Sequence, residues 1–231
     1  MKTLGILGGM SWESTQHLYA LINRGVAARL GGLHSAQLLL HSVDFAPMAT
    51  MQSAGDWAAA AGLLGEAGAG LRRAGAEALL IATNTMHLVA PEIEQAAGLP
   101  VLHIVDATGE ALRAARLGRV GLLATRFTME HGFYRERLRE RFGIEAVVPD
   151  APGRAEVHRI IYEELCRGRF EPASRAGLVA QVAALAEQGA QAVVLGCTEL
   201  GLLLPAGSHA ALPLFDSTAL HAQAAVDWML G

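Results

Sequence analysis

The chain has 231 residues, with 18 basic and 22 acidic side chains and a formal net charge of −4. It shows no basic stripe or block of like charge, which argues against a nucleic-acid or anionic-membrane partner. No run reaches the ~18 apolar residues that a membrane span needs, and the N-terminus lacks a signal-peptide pattern. With only two cysteines, Cys166 and Cys197, we expect a cytoplasmic protein without a disulfide framework.

Lysine is almost absent from the sequence. Lys2 is the only one, and every other strong cation is arginine. Pyridoxal phosphate enzymes need a buried lysine for their Schiff base, and Lys2 precedes the first predicted strand. Pyridoxal chemistry is therefore not expected, and no other cofactor is indicated.

Short apolar runs alternate with helical patterns along the whole chain. The predicted strands cover residues 3–7, 37–43, 78–82, 101–105, 120–124, 145–148, 192–195 and 212–215. Helices are predicted between them, for example over residues 57–73 and 175–188. Strand–helix alternation predicts an α/β protein with parallel sheets covered by helices on both faces.

The order of these runs is repeated about 115 residues further along the chain. The clearest match is "GAEALLIATNTMH", which begins at Gly75, with "GAQAVVLGCTELG", which begins at Gly189. "TLGILGGMS" likewise resembles "RVGLLATRF". We expect two pseudo-symmetric three-layer α/β/α domains, each with a four-stranded parallel sheet. The predicted domains are residues 1–98 plus 212–231, and residues 99–211.

The duplication places Thr83 on Cys197, each after a predicted strand. Ligands of open α/β sheets bind at the carboxyl ends of the strands, so we expect both residues to face a cleft between the domains. Two proton-transferring groups on opposite faces of one carbon atom can remove a proton from one face and return a proton to the other. This arrangement suits racemisation or epimerisation. A thiolate is a suitable base because its free pKa is ~8.5, and we expect the helix start at Thr198 to lower the pKa of Cys197 further.

The motifs "LGILGGMSWEST", "TNTMH" and "GCTE" together resemble the aspartate/glutamate racemase family. The similarity runs the whole length of the chain and is greatest to the bacterial branch of broad-specificity amino acid racemases and L-aspartate/glutamate-specific racemases. The resemblance implies a cofactor-independent isomerase of free amino acids. It also implies two four-stranded domains, an active site between them and a homodimer.

Three positions depart from the family pattern. Thr83 replaces the first of the family's two cysteines, while Cys197 keeps the second, whose thiol handles the proton of the L-enantiomer. Pro47 or Met48 stands where aspartate members carry an arginine, and Cys166 stands where they carry a lysine. Without this cationic pair, a substrate with a neutral or longer side chain is favoured over aspartate. Backbone N–H groups or Arg126 could bind the side-chain carboxylate of an acidic substrate instead.

The remaining candidate site residues lie in the turns after the predicted strands or are implied by the resemblance. Cys197 and Thr83 are the catalytic candidates. The substrate-binding candidates are Met10, Ser11, Gln52, Asn84, Thr85, Thr125, Thr198 and Glu199, and the pocket-lining candidates are Cys166 and Met48. His87 is expected on a helix behind the site. The nine histidines show no metal-binding spacing, so no metal site is expected.

The residues are also compatible with other functions. An aspartate/glutamate-specific racemase is the nearest of these. A one-thiol isomerase or decarboxylase of small dicarboxylic acids would need only Cys197. A non-catalytic amino acid binding protein could have arisen after Thr83 replaced a base. A nucleotide-binding oxidoreductase is disfavoured because Gly8-Gly9 lacks the G-x-G-x-x-G pattern.

Overall fold

The computed structural model describes residues 1–204 and 211–231. They form two compact units. The first unit contains Met1–His103 and His221–Gly231, and the second contains Ile104–Leu220. In the described residues, no helix is both long and apolar enough to cross a membrane.

The first unit contains a three-stranded parallel sheet in the order β2-β1-β3. Its strands are β1 (Leu4–Gly8), β2 (Leu38–Ser42) and β3 (Ala78–Ile81). Its helices are α1 (Trp12–Leu30), α2 (Phe45–Ala54), α3 (Trp57–Arg73) and α4 (Ala90–Ala97), joined by most of α11 (Ser217–Leu230). A short 3-10 helix, Thr85–Val89, precedes α4.

The second unit contains a four-stranded parallel sheet in the order β5-β4-β6-β7. Its strands are β4 (Arg119–Ala124), β5 (Glu145–Val147), β6 (Val193–Gly196) and β7 (Leu214–Asp216). Its helices are α5 (Ile104–Ala114), α6 (Arg126–Glu130), α7 (Phe133–Phe142), α8 (Ala151–Arg159), α9 (Pro172–Glu187) and α10 (Thr198–Leu203). A π-helical turn, Ile160–Glu164, and a 3-10 turn, Leu165–Arg167, continue α8.

The sheets bury apolar side chains on both faces, as expected of parallel strands covered by helices. Along β1, Leu4 and Ile6 belong to one apolar cluster and Leu7 to another. The neighbouring strand β3 alternates in the same way, with Leu80 in the first cluster and Leu79 in the second. The first unit is therefore layered helix, sheet, helix, as the sequence predicts.

The predicted fourth strand of the first unit is wrong. Only Val101 pairs with β3, through a single parallel bridge to Leu79. Because α5 begins at Ile104, the rest of the predicted strand 101–105 is too short to pair. The repeat is still visible in one pair of equivalent hydrogen bonds. In the first unit the Leu79 N–H donates to the Pro100 carbonyl at 2.8 Å, and in the second the Val193 N–H donates to the Pro213 carbonyl at 2.9 Å.

The structure divides the chain several residues later than the sequence-based boundaries, at 103/104 and at 220/221. The first difference arises because Pro100 and Leu102 hydrogen-bond to Leu79, which ties this segment to β3. The second arises because β7 pairs with β6 and so keeps residues 214–216 with the second unit.

Equivalent glycines in the two central strands show how closely the halves repeat each other. A Cβ on Gly5 or on Gly121 would crowd a residue of the adjacent strand and a leucine in the last turns of the helix that precedes that strand. The crowding side chains are Leu71 at 3.2 Å and Leu79 at 3.0 Å for Gly5, and Leu185 at 2.8 Å and Val193 at 3.1 Å for Gly121. At both positions the helix packs directly on the strand because no side chain intervenes.

We expect Gly121→Ala to lower the free energy of unfolding by about 1–3 kcal/mol, because the new methyl group overpacks the core. The matched control is Gly177→Ala in α9, where a Cβ meets nothing within 4 Å. There the change should be neutral or stabilise the helix by up to about 1 kcal/mol. Urea denaturation of the two variants measures the difference, and a Gly121→Ala protein as stable as wild type would contradict this account of the packing.

Candidate functional site

In the first unit, the predicted site residues gather at the carboxyl edge of the sheet. Met10 and Ser11 follow β1, Thr83 to Thr85 follow β3, and Met48 and Gln52 lie on α2, which follows β2. Parallel strands end at the same edge, so the sheet brings these segments together.

The loop after β1 is held by Thr15, a residue of α1. The Gly9 N–H donates to Thr15 Oγ1 at 2.9 Å, and that hydroxyl donates to the Ser11 carbonyl at 2.8 Å. Gly9 has a φ of +92°, and a Cβ there would clash with the Val43 carbonyl oxygen. Glycine is therefore required by the turn itself, which supports packing rather than phosphate binding as the reason for the glycine pair.

Ser11 and Thr125 play the same structural part in the two halves. Ser11 Oγ accepts from the Ser14 N–H at the start of α1, and Thr125 Oγ1 accepts from the Thr128 N–H at the start of α6, both at 3.3 Å. Both side chains are buried, so each cap also places a hydroxyl at the carboxyl edge of its sheet.

Two of the first unit's candidates are buried in its core. Met48 is fully buried in the same apolar cluster as Met10 and Met86. Gln52 is also buried, and its Nε2 lies 3.3 Å from Met86 Sδ. Met86 thus lies between α2 and the turn that carries Thr83, and the sequence did not single it out.

In the second unit, Cys197 follows β6 and occupies the N-cap position of α10. Its Sγ donates to Glu199 Oε2 at 3.1 Å, and Cys166 Sγ donates to the other carboxylate oxygen at 3.8 Å. Thr198 and Glu199, in the first turn of α10, are both buried. One buried carboxylate therefore accepts hydrogen bonds from both cysteines of the chain.

This arrangement overturns the expectation that the helix start lowers the pKa of Cys197. Burial raises the pKa of the Cys197 thiol well above its usual value, and the negative charge of Glu199 raises it further. The Glu199 backbone N–H acts in the opposite direction but is outweighed. The thiol is consequently protonated at neutral pH.

Tyr162 lies close to these thiols and to Glu199, and the sequence did not single it out. It lies on the π-helical turn, a geometry that often marks functional sites, and its ring packs 4.5 Å from that of His158. Burial raises the pKa of the Tyr162 phenol, and the nearby Cys166, Cys197 and Glu199 add to the effect. The signal was available in the segment "IIYEELCRG", where Tyr162 precedes Cys166 by four residues, one helical turn.

Three histidines form a second feature that spacing could not reveal. The His87 ring lies 4.7 Å from the His103 ring and 5.6 Å from the His221 ring, centroid to centroid. His87 Nδ1 is 2.9 Å from the Thr83 carbonyl oxygen. Among the residues that the structure describes, no group of three or more His, Cys, Asp or Glu side chains could hold a metal ion.

We expect Glu199→Gln to lower the pKa of Cys197, because the amide keeps an oxygen near the thiol but removes the negative charge. The thiolate is the species that iodoacetamide attacks, so the alkylation rate should rise with pH at a lower midpoint in Glu199→Gln than in the parent protein. Both proteins should carry Cys166→Ser, so that only Cys197 reacts. Identical midpoints would mean that the Glu199 charge has no influence on the thiol.

Comparison with known proteins places this geometry in a family. The family model for Asp/Glu/Hydantoin racemase matches residues 7–225. The crystal structure of a candidate Asp/Glu racemase from Yersinia pestis is 51% identical, with a TM-score of 0.92 over 100% of both chains. An aspartate racemase homologue from Pyrococcus horikoshii OT3 is 31% identical, with a TM-score of 0.83, also over 100% of both chains.

Curated relatives match a shorter stretch. A glutamate racemase from Pseudomonas aeruginosa is 34% identical over 133 residues, which is 57% of this chain and 48% of the relative. The chain thus aligns with about half the length of that relative. Since the family model covers nearly the whole sequence and two solved structures match it end to end, the chain belongs to the Asp/Glu/Hydantoin racemase family.

Proposed function

We propose that the protein is a cofactor-independent racemase that interconverts L- and D-amino acids by proton transfer at the α-carbon. The observation that carries the proposal is the buried Cys197 thiol hydrogen-bonded to Glu199 at the carboxyl end of β6. A base of this kind is needed to remove an α-proton, and a neighbouring carboxylate can take the thiol's own proton first. Family membership supports the same reaction class.

In the proposed reaction, substrate binding moves the Cys197 proton to the Glu199 carboxylate and leaves a thiolate. The thiolate removes the α-proton of the L-enantiomer, and the electron pair of the broken C–H bond spreads onto the substrate carboxylate. Backbone N–H groups at the start of α10 and in the turn after β3 would stabilise that charge. Thr83, directly or through a water, returns a proton to the opposite face and gives the D-enantiomer, and the cycle closes when solvent takes the proton from Glu199 and returns one to Thr83.

Thr83 makes the two proton transfers unequal. Its hydroxyl is a far weaker acid than a thiol, so reprotonation on its side should be slow. Cys197, by contrast, can exchange its proton with solvent and return it to the face from which it came. The ratio of kcat to KM must still be equal for the two enantiomers, since they have equal free energies in water. The asymmetry should therefore appear in isotope exchange rather than in that ratio.

The substrate that we propose is a free amino acid with a neutral or longer side chain. Its support is the absence of a cation at Pro47 or Met48 and at Cys166, the positions where the resemblance implies one in aspartate members. An unpaired carboxylate in a buried site is costly. By resemblance we also propose that the protein works in the cytoplasm as a homodimer without a cofactor.

The deciding experiment incubates the protein with an L-amino acid, such as L-homoserine or L-methionine, in deuterium oxide. We expect the recovered L-substrate to gain α-deuterium faster than D-product forms. Cys197→Ala should abolish both processes, and Thr83→Cys should raise D-product formation, since one acid–base group contributes ~10²–10⁴-fold. Exchange and racemisation within a few-fold of wild type in Cys197→Ala would remove Cys197 from the mechanism.

A substrate panel tests the side-chain preference separately. Neutral amino acids of medium length should be racemised at least as fast as aspartate and glutamate. Restoring a cation with Cys166→Lys should shift the preference towards aspartate, because an ammonium group would pair with the side-chain carboxylate. A strong preference of the wild-type protein for aspartate over every neutral substrate would show instead an aspartate-specific racemase. Decarboxylation of a dicarboxylic acid would show a one-thiol decarboxylase, and binding without turnover would show an amino acid binding protein.

A further inference from the structure

His87, His103 and His221 form a histidine cluster whose members come from three distant parts of the first unit. His87 lies in the 3-10 helix after β3, His103 directly before α5, and His221 on α11. His87 and His221 are only 2% and 1% exposed. The rings of His103 and His221 are inclined to the His87 ring by 60° and 64°, so they contact it edge to face.

Two backbone carbonyls determine which ring nitrogens of His87 and His221 carry protons. His87 Nδ1 lies 2.9 Å from the Thr83 carbonyl oxygen, and His221 Nε2 lies 2.6 Å from the Leu102 carbonyl oxygen. A carbonyl oxygen can only accept, so Nδ1 of His87 and Nε2 of His221 must be the donors. The hydrogen bond to Thr83 thus exists only while His87 Nδ1 is protonated.

The surroundings keep the rings of His87 and His221 neutral. Burial lowers the pKa of His87 well below its usual value, and His103 and His221 lower it further. Burial also lowers the pKa of His221 to about 4. A neutral imidazole has one N–H, and in His87 it is directed at the Thr83 carbonyl, with the Asn84 backbone as a second hydrogen-bond contact of the ring.

The contact with Thr83 is made to its backbone, not to its hydroxyl. Thr83 lies two residues after the end of β3, and Asn84 and Thr85 begin the turn that leads into the 3-10 helix. A ring wedged between two others has little freedom to turn, so its donor holds the Thr83 carbonyl in one place. A side chain placed 1 Å away from its productive position can cost about 10²-fold in rate.

We propose that His87 is a positioning residue for Thr83: the hydrogen bond from Nδ1 to the Thr83 carbonyl, supported by the packing of His103 and His221, orients the Thr83 hydroxyl for proton return. This inference rests on the proposed function, in which Thr83 serves the face opposite Cys197. It predicts that loss of the donor slows the Thr83 side of the reaction and leaves proton exchange by Cys197 intact.

The test compares His87→Asn with His87→Leu. Asparagine keeps an N–H donor close to the position of Nδ1, whereas leucine has similar bulk and no donor. In deuterium oxide, His87→Leu should lower the ratio of D-product formation to α-deuterium gain in L-substrate by about tenfold or more. His87→Asn should restore much of that ratio, and the exposed His34→Leu should leave it unchanged.

A second readout does not depend on activity. The amide resonances of Thr83, Asn84 and Thr85 should move in His87→Leu and stay near their wild-type positions in His87→Asn. Equal losses of exchange and racemisation in His87→Leu would overturn the inference, since a purely structural role predicts them. If the wild-type protein shows neither exchange nor D-product, the proposed function fails. In that case the amide resonances alone test whether His87 positions Thr83. The positioning role is refuted unless His87→Leu moves these resonances and His87→Asn leaves them in place.

Discussion

Parallel pairing between a central strand and its neighbour is the constraint on which both halves depend. Ile6 pairs with Leu80 in the first sheet and Leu122 with Val194 in the second, so the strands of each sheet end at a common edge. Polar residues that are far apart in sequence follow those ends and are gathered there. The helices cover the two faces of each sheet, so the carboxyl edge is where polar functional side chains can lie.

In the second unit, the buried Glu199 carboxylate contacts two thiols, those of Cys197 and Cys166. Burial raises the pKa of Cys197 and the adjacent Glu199 carboxylate raises it further, so the thiol is neutral at rest. The cysteine at position 166 strengthens this arrangement, because its thiol donates to the other carboxylate oxygen. A single acidic residue thereby links the proposed base to Cys166.

The two halves share a backbone plan and differ in the side chains that it presents. Gly75 and Gly189 make equivalent turns with positive φ, and the strands that follow pair in the same register. At the strand ends, however, the first half carries Thr83 held by an imidazole, and the second carries Cys197 beside a carboxylate. The repeated backbone thus presents a hydroxyl at one strand end and a thiol at the equivalent strand end.

The sequence by itself determined the fold class, the duplication, most strands to within one or two residues and the helix Trp57–Arg73, because apolar periodicity and turn residues are local signals. Through the repeat it also predicted Cys197 and Thr83 as the catalytic pair. Only the tertiary structure decided that Glu199 lies between two thiols and that the fourth strand of the first unit is reduced to a bridge. It also decided that His103 and His221 pack against His87, the residue that hydrogen-bonds to the Thr83 carbonyl. These features depend on burial and on contacts between residues far apart in the chain, which no local pattern encodes.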